Sequence, residues 1–277
     1  MSATAQSFTA PEKHIVNHDI MHCTAEGVVG NHLYSGRALG ITEPWDILQL
    51  SEELKPSWKA IIRHYENIGL SHTRDVIWNV EMEQLAKYIG FHPSVFFFGP
   101  QQYFNWGDNE WVSIVDYINS KNNFVQVARS LGVKVPATLS FDNVTCIQQL
   151  DVEQIVFPCY VKAAISVSGV GIYRCENEKQ LLSNIKTFEH GTPVQIQEEV
   201  IAESFLNMQY KVVGDEVLRL AASEQILDGF VHQGNRVPAS HQPWESVDLM
   251  AQWLANSGMK GIFAFDVAVV KTDNGWR

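Results

Sequence analysis

Basic residues are in short supply: 20 lysines and arginines stand against 31 aspartates and glutamates, a formal net charge of −11 over 277 residues. Such a chain lacks the broad basic face that binds phosphodiester backbones or anionic bilayers. Nucleic acid and membrane are therefore excluded as main partners, and only a local basic pocket for a small anion stays open. Cysteine is scarce too. The four, Cys23, Cys146, Cys159 and Cys175, include no Cys-x-x-Cys pair. That excludes a disulfide framework or a cysteine zinc site and fits a reducing cytoplasm. No apolar run near the start resembles a signal peptide, and the longest apolar stretches, such as 93–99 and 261–270, are far short of a membrane span. Repeats and low-complexity segments are absent. What is there is 45% apolar and 18% charged, the balance of a soluble globular protein. The length exceeds one average domain and can bury a core without a covalent or metal staple.

The first third predicts an α/β domain over residues 1–118. Helical spacing runs over 57–68 and over 74–89, where Ile77, Val80, Leu85 and Ile89 recur, with Gly90 as a stop. A buried strand is expected at 94–98, a polar aromatic loop at 99–108 and a helix at 110–118. The boundary falls at Asn119-Ser120-Lys121, where Ser120 is a suitable N-cap and Phe124, Ala128 and Leu131 follow at helical spacing. A second region, 119–193, predicts a short helix near 146–150, strands at 157–164 and 171–175, and a helix over 179–188 with Leu182, Ile185 and Phe188 on one face. A third, 194–277, predicts a strand ending at Glu198 and an irregular stretch to Asn207. After these come a hairpin of 209–213 with 217–220 turning at Gly214-Asp215, a loop over 222–234, a helix at 246–256 and a strand at 261–270.

Three segments carry chemistry. In Tyr160-Val161-Lys162, followed by Ser166, Ser168, Gly169 and Gly171, the Walker pattern is absent, and Gly171 opens a β-branched strand, not the helix that a dinucleotide fingerprint requires. A hairpin remains whose Ser/Gly loop can close over phosphates through backbone N–H groups while Lys162 pairs with phosphate oxygens. The plainer alternative is an ordinary hairpin with a surface lysine. Some 30 residues on, a strand ends in Glu198 and Glu199 and turns irregular through Val200, Ile201 and Glu203. That suits a connector reading a purine edge with its main chain, or else a solvated strand end. In Phe263-Ala264-Phe265-Asp266-Val267-Ala268-Val269, period-2 alternation sends the large residues to the core. Asp266 is left among alanines, with room for a magnesium ion carrying phosphates or for solvent alone.

In this order the motifs resemble those of the ATP-grasp ligases, over residues 119–277. A lysine opens a helix (Lys121), a strand lysine (Lys162) precedes the Ser/Gly loop, and an acidic connector and hairpin follow. Gln225 and His232 then stand in a loop before a strand with an acidic metal ligand. The resemblance implies an α/β pre-grasp domain followed by the two α+β subdomains of a grasp fold, an architecture like that of biotin carboxylase or D-alanine–D-alanine ligase. It implies a reaction in which ATP with Mg2+ phosphorylates a carboxylate and an amine or other nucleophile attacks the acylphosphate. It makes Lys121 and Lys162 phosphate ligands, Ser166, Ser168, Gly169 and Gly171 the closing loop, and Glu198, Glu199, Val200 and Ile201 the adenine connector. Asp266 becomes a metal ligand. The expected partners are small-molecule carboxylate and amine substrates, with a homodimer left open.

Three departures accompany the resemblance. The ribose acid is ambiguous among Glu203, Asn207 and Gln209. The 222–234 loop lacks the lysine that often reaches the γ-phosphate, leaving Arg219, His232 and Arg236 as substitutes. Thr272-Asp273-Asn274-Gly275 is a hairpin signal, yet only Trp276 and Arg277 follow, so the grasp domain is expected to lack its C-terminal end and second metal carboxylate. Two rival readings follow: a nucleotide-binding module without turnover, and an α/β scaffold that binds partners through the aromatic segment 103–111.

Overall fold

A computed structural model describes residues 12–21, 30–81, 87–95, 109–149, 154–166, 171–229, 231–272 and 275–276. They fall into two compact units, Met1–Asn109 and Glu110–Arg277. Helices and sheets are mixed throughout, and no described helix is long and apolar enough to cross a membrane.

The first unit is built on four short parallel strands, β1 (His14–Asn17), β2 (Ile47–Gln49), β3 (Asp75–Ile77) and β4 (His92–Val95), in the order β3-β2-β1-β4. Helix α1 (Trp58–Asn67) carries Trp58, Ile61, Ile62 and Tyr65 onto a core of Val16, Leu39, Leu48, Leu50 and Leu54. Buried polar ends are satisfied internally, as parallel sheets covered on their faces require. The Asn17 amide donates to Gln49 Oε1 (3.1 Å), and Gln49 Nε2 donates to the carbonyls of Asn79 and Glu81. Helix is not what forms at 74–77. Val76 and Ile77 are β-branched and pair with Leu48 and Gln49, so sheet formation overrides the helical spacing of Ile77 and Val80. Residues 82–86 lie outside those described. The strand expected at 94–98 starts earlier, at His92, and its residues 96–98 are outside the described set.

The second unit holds two antiparallel four-stranded sheets. Helices α2 (Asn109–Asn119) and α3 (Lys121–Ser130) lead into β5 (Thr138–Phe141), β6 (Cys159–Ala163), β7 (Ile172–Cys175), helix α4 (Glu178–Ile185) and β8 (Val194–Glu198). The first sheet is ordered β5-β8-β6-β7. Its core face carries Cys159, Val161, Cys175, Val194 and Ile196, against Leu181 and Ile185 of α4. Leu181, not Leu182, is the buried partner of Ile185: Asn177 caps the helix by accepting from Gln180 N–H (3.0 Å), and this turns Leu182 toward solvent.

The second sheet is ordered β11-β10-β9-β12, from β9 (Ser204–Val213), β10 (Glu216–Asp228), β11 (Val231–Arg236) and β12 (Gly261–Val269), with helix α5 (Asp248–Asn256) before β12. Of the segment expected as a loop over 222–234, residues 222–228 are instead the far half of β10 and 231–234 the start of β11, while residue 230 lies outside those described. Ala221, Ser223 and Gln225 line one face of β10, so it lacks the apolar alternation by which strands are recognised. Gly214, at φ +59°, makes the two-residue turn between β9 and β10, as expected. Leu206, Met208 and Tyr210 project to the core and meet Met250 and Leu254 of α5 and Ile114, Val127 and Ala128 of α2 and α3. Replacing Met250, which is fully buried, with alanine is expected to cost about 2–5 kcal/mol in urea unfolding, through lost contacts and a residual cavity. Beyond β12, β13 (Lys271–Thr272) pairs with β14 (Gly275–Trp276), the hairpin that the Asp-Asn-Gly signal predicts. Of the aromatic segment 103–111, residues 103–108 lie outside those described, and Trp111 packs against the second unit's core.

Candidate functional site

Period-2 alternation on β6 sends Cys159 and Val161 into the core and Tyr160 and Lys162 to the opposite face. There Lys162 stands in register with Gln195 of β8. Helix α3 begins beside it. Ser120 has the extended backbone of an N-cap, but its hydroxyl makes no capping bond. The helix start is held instead by Lys121 N–H donating to Ala164 O (2.8 Å), just past the end of β6. Two lysines are thereby brought together at the foot of the Ser/Gly loop. Lys121 Nζ donates to Ser166 Oγ (2.9 Å) and Ser166 O (3.2 Å), and Lys162 Nζ donates to Gln197 Oε1 (2.6 Å). Gln197 is oriented in turn by donating to Thr138 Oγ1 (3.0 Å).

These lysine partners are all neutral, and no described carboxylate forms an ion pair with either ammonium. Burial pushes Lys121 below the ordinary lysine range. Burial, with the charge of Lys121 second, lowers Lys162 to about 8. Gly171 closes the loop at φ +69°, a conformation that favours glycine, and its carbonyl accepts from Ala163 N–H (3.0 Å). Ser168 and Gly169 lie outside the described residues.

At the end of β8, both acidic side chains are engaged. Glu198 Oε1 accepts from Ala137 N–H (2.7 Å), and Glu198 N–H donates to Ala137 O (2.9 Å). Glu199 accepts two bonds from Arg174, Nε at 2.6 Å and Nη2 at 2.8 Å, and one from the Tyr160 hydroxyl at 2.7 Å. These donors hold its carboxyl down at about 2. Val200, Ile201 and Ala202 follow without a backbone N–H bond to any carbonyl among the described residues, and Ile201 is 88% exposed. Glu203 N–H then donates to Val269 O (2.8 Å).

On the second sheet, Asp266, Asn207 and Ser223 stand in one cross-strand row. Asp266 Oδ1 accepts from Asn207 Nδ2 (3.1 Å) and Gln225 Nε2 (2.8 Å), and Gln209 Nε2 donates to Asn207 Oδ1 (3.1 Å). Asp266 is exposed, between Ala264 and Ala268 on its strand face. The substitutes for the missing lysine do not join this cluster. Arg219 pairs across the strand with Tyr210, on the core side, and both are tied to Asp248 at the start of α5. Arg236 Nη1 donates to Glu224 Oε1 (3.1 Å) in the adjacent row, and His232 stands exposed on β11 opposite Leu227. Tyr160, Arg174 and Gln197 match no motif in the sequence. The alternation that marks Lys162 could have found them, since they lie on its face of the sheet.

No protein-family model matches the sequence, and no curated protein matches it. Solved structures do match. An N5-carboxyaminoimidazole ribonucleotide synthetase bound to ADP superposes with a TM-score of 0.64 at 12% identity, over 96% of this chain and 67% of that one. The N5-carboxyaminoimidazole synthetase of Staphylococcus aureus, also with ADP, gives 0.63 at 12% identity over 96% and 69%. An L-amino acid ligase from Bacillus licheniformis gives 0.56 at 10% identity over 95% and 64%. At such identities the likeness is one of fold, and the chain spans about two thirds of the length of each.

Proposed function

We propose that the chain, which shares its fold with these synthetases and the amino acid ligase, is of the ATP-grasp kind, binds ATP with Mg2+ and activates a small-molecule carboxylate as its acylphosphate, which an amine or other nucleophile then attacks. The observation that carries this reading is the lysine pair. Two half-buried ammonium groups share one spot with only neutral partners among the described residues, in a protein of net charge −11. Two neighbouring ammonium groups are costly to bury together, and a polyphosphate would supply opposite charge. In this reading Lys121 and Lys162 hold phosphate oxygens, with the loop from Ser166 to Gly171 closing over them. The main chain of Glu199 to Ile201 meets the base, and Glu203 or Gln209 stands for the ribose.

The residues at Asp266 fit magnesium in kind. A carboxylate oriented by two amide donors, with alanines beside it, gives a hard oxygen ligand and space. Mg2+ commonly takes one or two carboxylates and completes its shell with phosphate and water. The ion would neutralise charge on the phosphates. The protein's share of catalysis would be alignment and charge placement, with no nucleophilic side chain required.

In the reaction the carboxylate oxygen attacks the γ-phosphorus and ADP leaves; the amine then attacks the acyl carbon and phosphate leaves. The test supplies Mg-ATP, a panel of amino and carboxylic acids, and hydroxylamine as nucleophile. Hydroxamate with equal amounts of ADP and phosphate supports the reading, whereas release of AMP counts against it. A second reading is nucleotide binding without turnover, in which Asp266, whose Oδ1 already accepts from the Asn207 and Gln225 amides, serves as cross-strand hydrogen bonding alone. ATP binding with no product from any acid would support that alternative.

A further inference from the structure

The connector between β8 and β9 is pinned at both ends and open between them. At its start, Glu199 is fixed twice. Its N–H donates to Pro158 O (3.0 Å), and its carboxylate takes the Arg174 fork and the Tyr160 hydroxyl. At its finish, Glu203 N–H is bonded to β12 through Val269. The N–H groups of Val200, Ile201 and Ala202 donate to no backbone carbonyl among the described residues. Arg174 and Tyr160 face each other in register on β7 and β6, so the carboxylate bridges a cross-strand pair. Tyr160 also lies two residues before Lys162 on the same strand face, with the ammonium 5.9 Å from its ring centroid. One strand therefore links the lysine that meets phosphate to the residue that fixes the connector.

We propose that Arg174 and Tyr160 are positioning residues that set purine selectivity: by holding the Glu199 carboxylate, they place the following main-chain N–H and C=O groups at a fixed distance from Lys162. The inference rests on the nucleotide reading above. With the Glu198 and Glu199 side chains both engaged, selection among bases falls to the connector's main chain. Adenine and guanine present opposite donor and acceptor patterns on the edge such a main chain would meet, so selectivity depends on how well the chain is held. A bidentate arginine fork suits that task, because it fixes orientation as well as distance. A single exposed ion pair contributes little to stability, so the effect is expected in ligand choice more than in melting temperature.

The test measures calorimetric binding of Mg-ATP, Mg-GTP and Mg-tripolyphosphate to the unaltered chain and to Arg174→Ala, Arg174→Lys and Tyr160→Phe. Arg174→Ala is expected to weaken ATP by about tenfold, the scale of lost charge-assisted bonds. The ATP-over-GTP preference should shrink, and tripolyphosphate, which has no base, should bind as before. Arg174→Lys, which cannot form the fork, should fall between. Tyr160→Phe keeps the ring and removes only the hydroxyl donor, so it tests the clamp even where an arginine variant fails to fold. Equal loss of ATP and tripolyphosphate, or an undiminished ATP preference in all three variants, overturns the proposal while leaving the nucleotide reading intact. If the unaltered chain binds tripolyphosphate without preferring ATP, the nucleotide reading falls and this inference falls with it.

Discussion

Replacing Lys162 with methionine is expected to lower the affinity for Mg-ATP by about a hundredfold, the scale of losing a half-buried charged donor to phosphate. The unliganded protein should melt no earlier than the unaltered one. The two effects have opposite signs because the ammonium has opposite roles in the two states. Without ligand it is desolvated and stands beside Lys121, with Gln197 as its hydrogen-bond acceptor. Methionine keeps the stem's packing and removes the charge that burial disfavours. With a polyphosphate present, the same charge becomes the attraction. Isothermal calorimetry and a thermal melt of one preparation measure both, and a variant that loses stability but keeps its ATP affinity would remove Lys162 from the phosphate site.

The same lysine sets a pH dependence. Its folded pKa of about 8 lies below the ordinary value of 10.5. Between those values the unfolded chain holds more protons than the folded one, so the stability of the free protein rises with pH across that window. Below about 8 the cost of burying the charge is present in full. Nucleotide affinity should follow the reverse course and fall as pH passes upward through about 8. Near that pH, binding should take up a proton, visible as a dependence of the calorimetric heat on the buffer's ionisation enthalpy. Lys162→Met should abolish that dependence.

Legibility of the fold tracked one physical property, whether the two faces of an element differ in polarity. β6 and β12 were readable because Cys159 and Val161, and Phe263 and Phe265, alternate with residues of different character. The near half of β10 was readable from the hairpin turn, but its far half was not, since Ala221, Ser223 and Gln225 on one side and Ala222 and Glu224 on the other give no apolar period. β3 is only three residues long and earns its state from pairing with β2, a long-range contact invisible in local spacing. The site divides similarly. Lys162 and Asp266 stand out because their charge sits between small or apolar neighbours, whereas Lys121, between Ser120 and Asn122, is singled out by the resemblance alone. Arg219 and Arg236 were singled out by nearness in sequence to the expected loop, but a one-residue step along a strand reverses the face. Tyr210, opposite Arg219, is on the core side, and Ser223, next to Glu224, is in the Asp266 row. The Glu199 clamp joins residues 25 and 39 apart in sequence, which no motif spacing suggests.

Asp266→Asn should abolish the magnesium dependence of ATP affinity and lower ADP release by roughly 10²–10³-fold, the range seen when a preorganised electrostatic group is removed. The substitution is clean for a structural reason. Asp266 Oδ1 accepts from the Asn207 and Gln225 amides, and an asparagine with its carbonyl oxygen in that place keeps both bonds. Only the charge and the second oxygen are lost. Because the residue is exposed and its strand pairs with β9 through the main chain, the melting temperature should barely move. Gln225→Ala probes the other half of the arrangement: the carboxylate stays charged but loses one of its two orienting donors. It should weaken magnesium-dependent ATP binding by about tenfold, as loss of a partner behind a metal ligand does. An Asp266→Asn protein that releases ADP at the unaltered rate, with the same requirement for magnesium, would show that the metal is held elsewhere. It would also leave the amide cluster of β9, β10 and β12 as cross-strand hydrogen bonding alone.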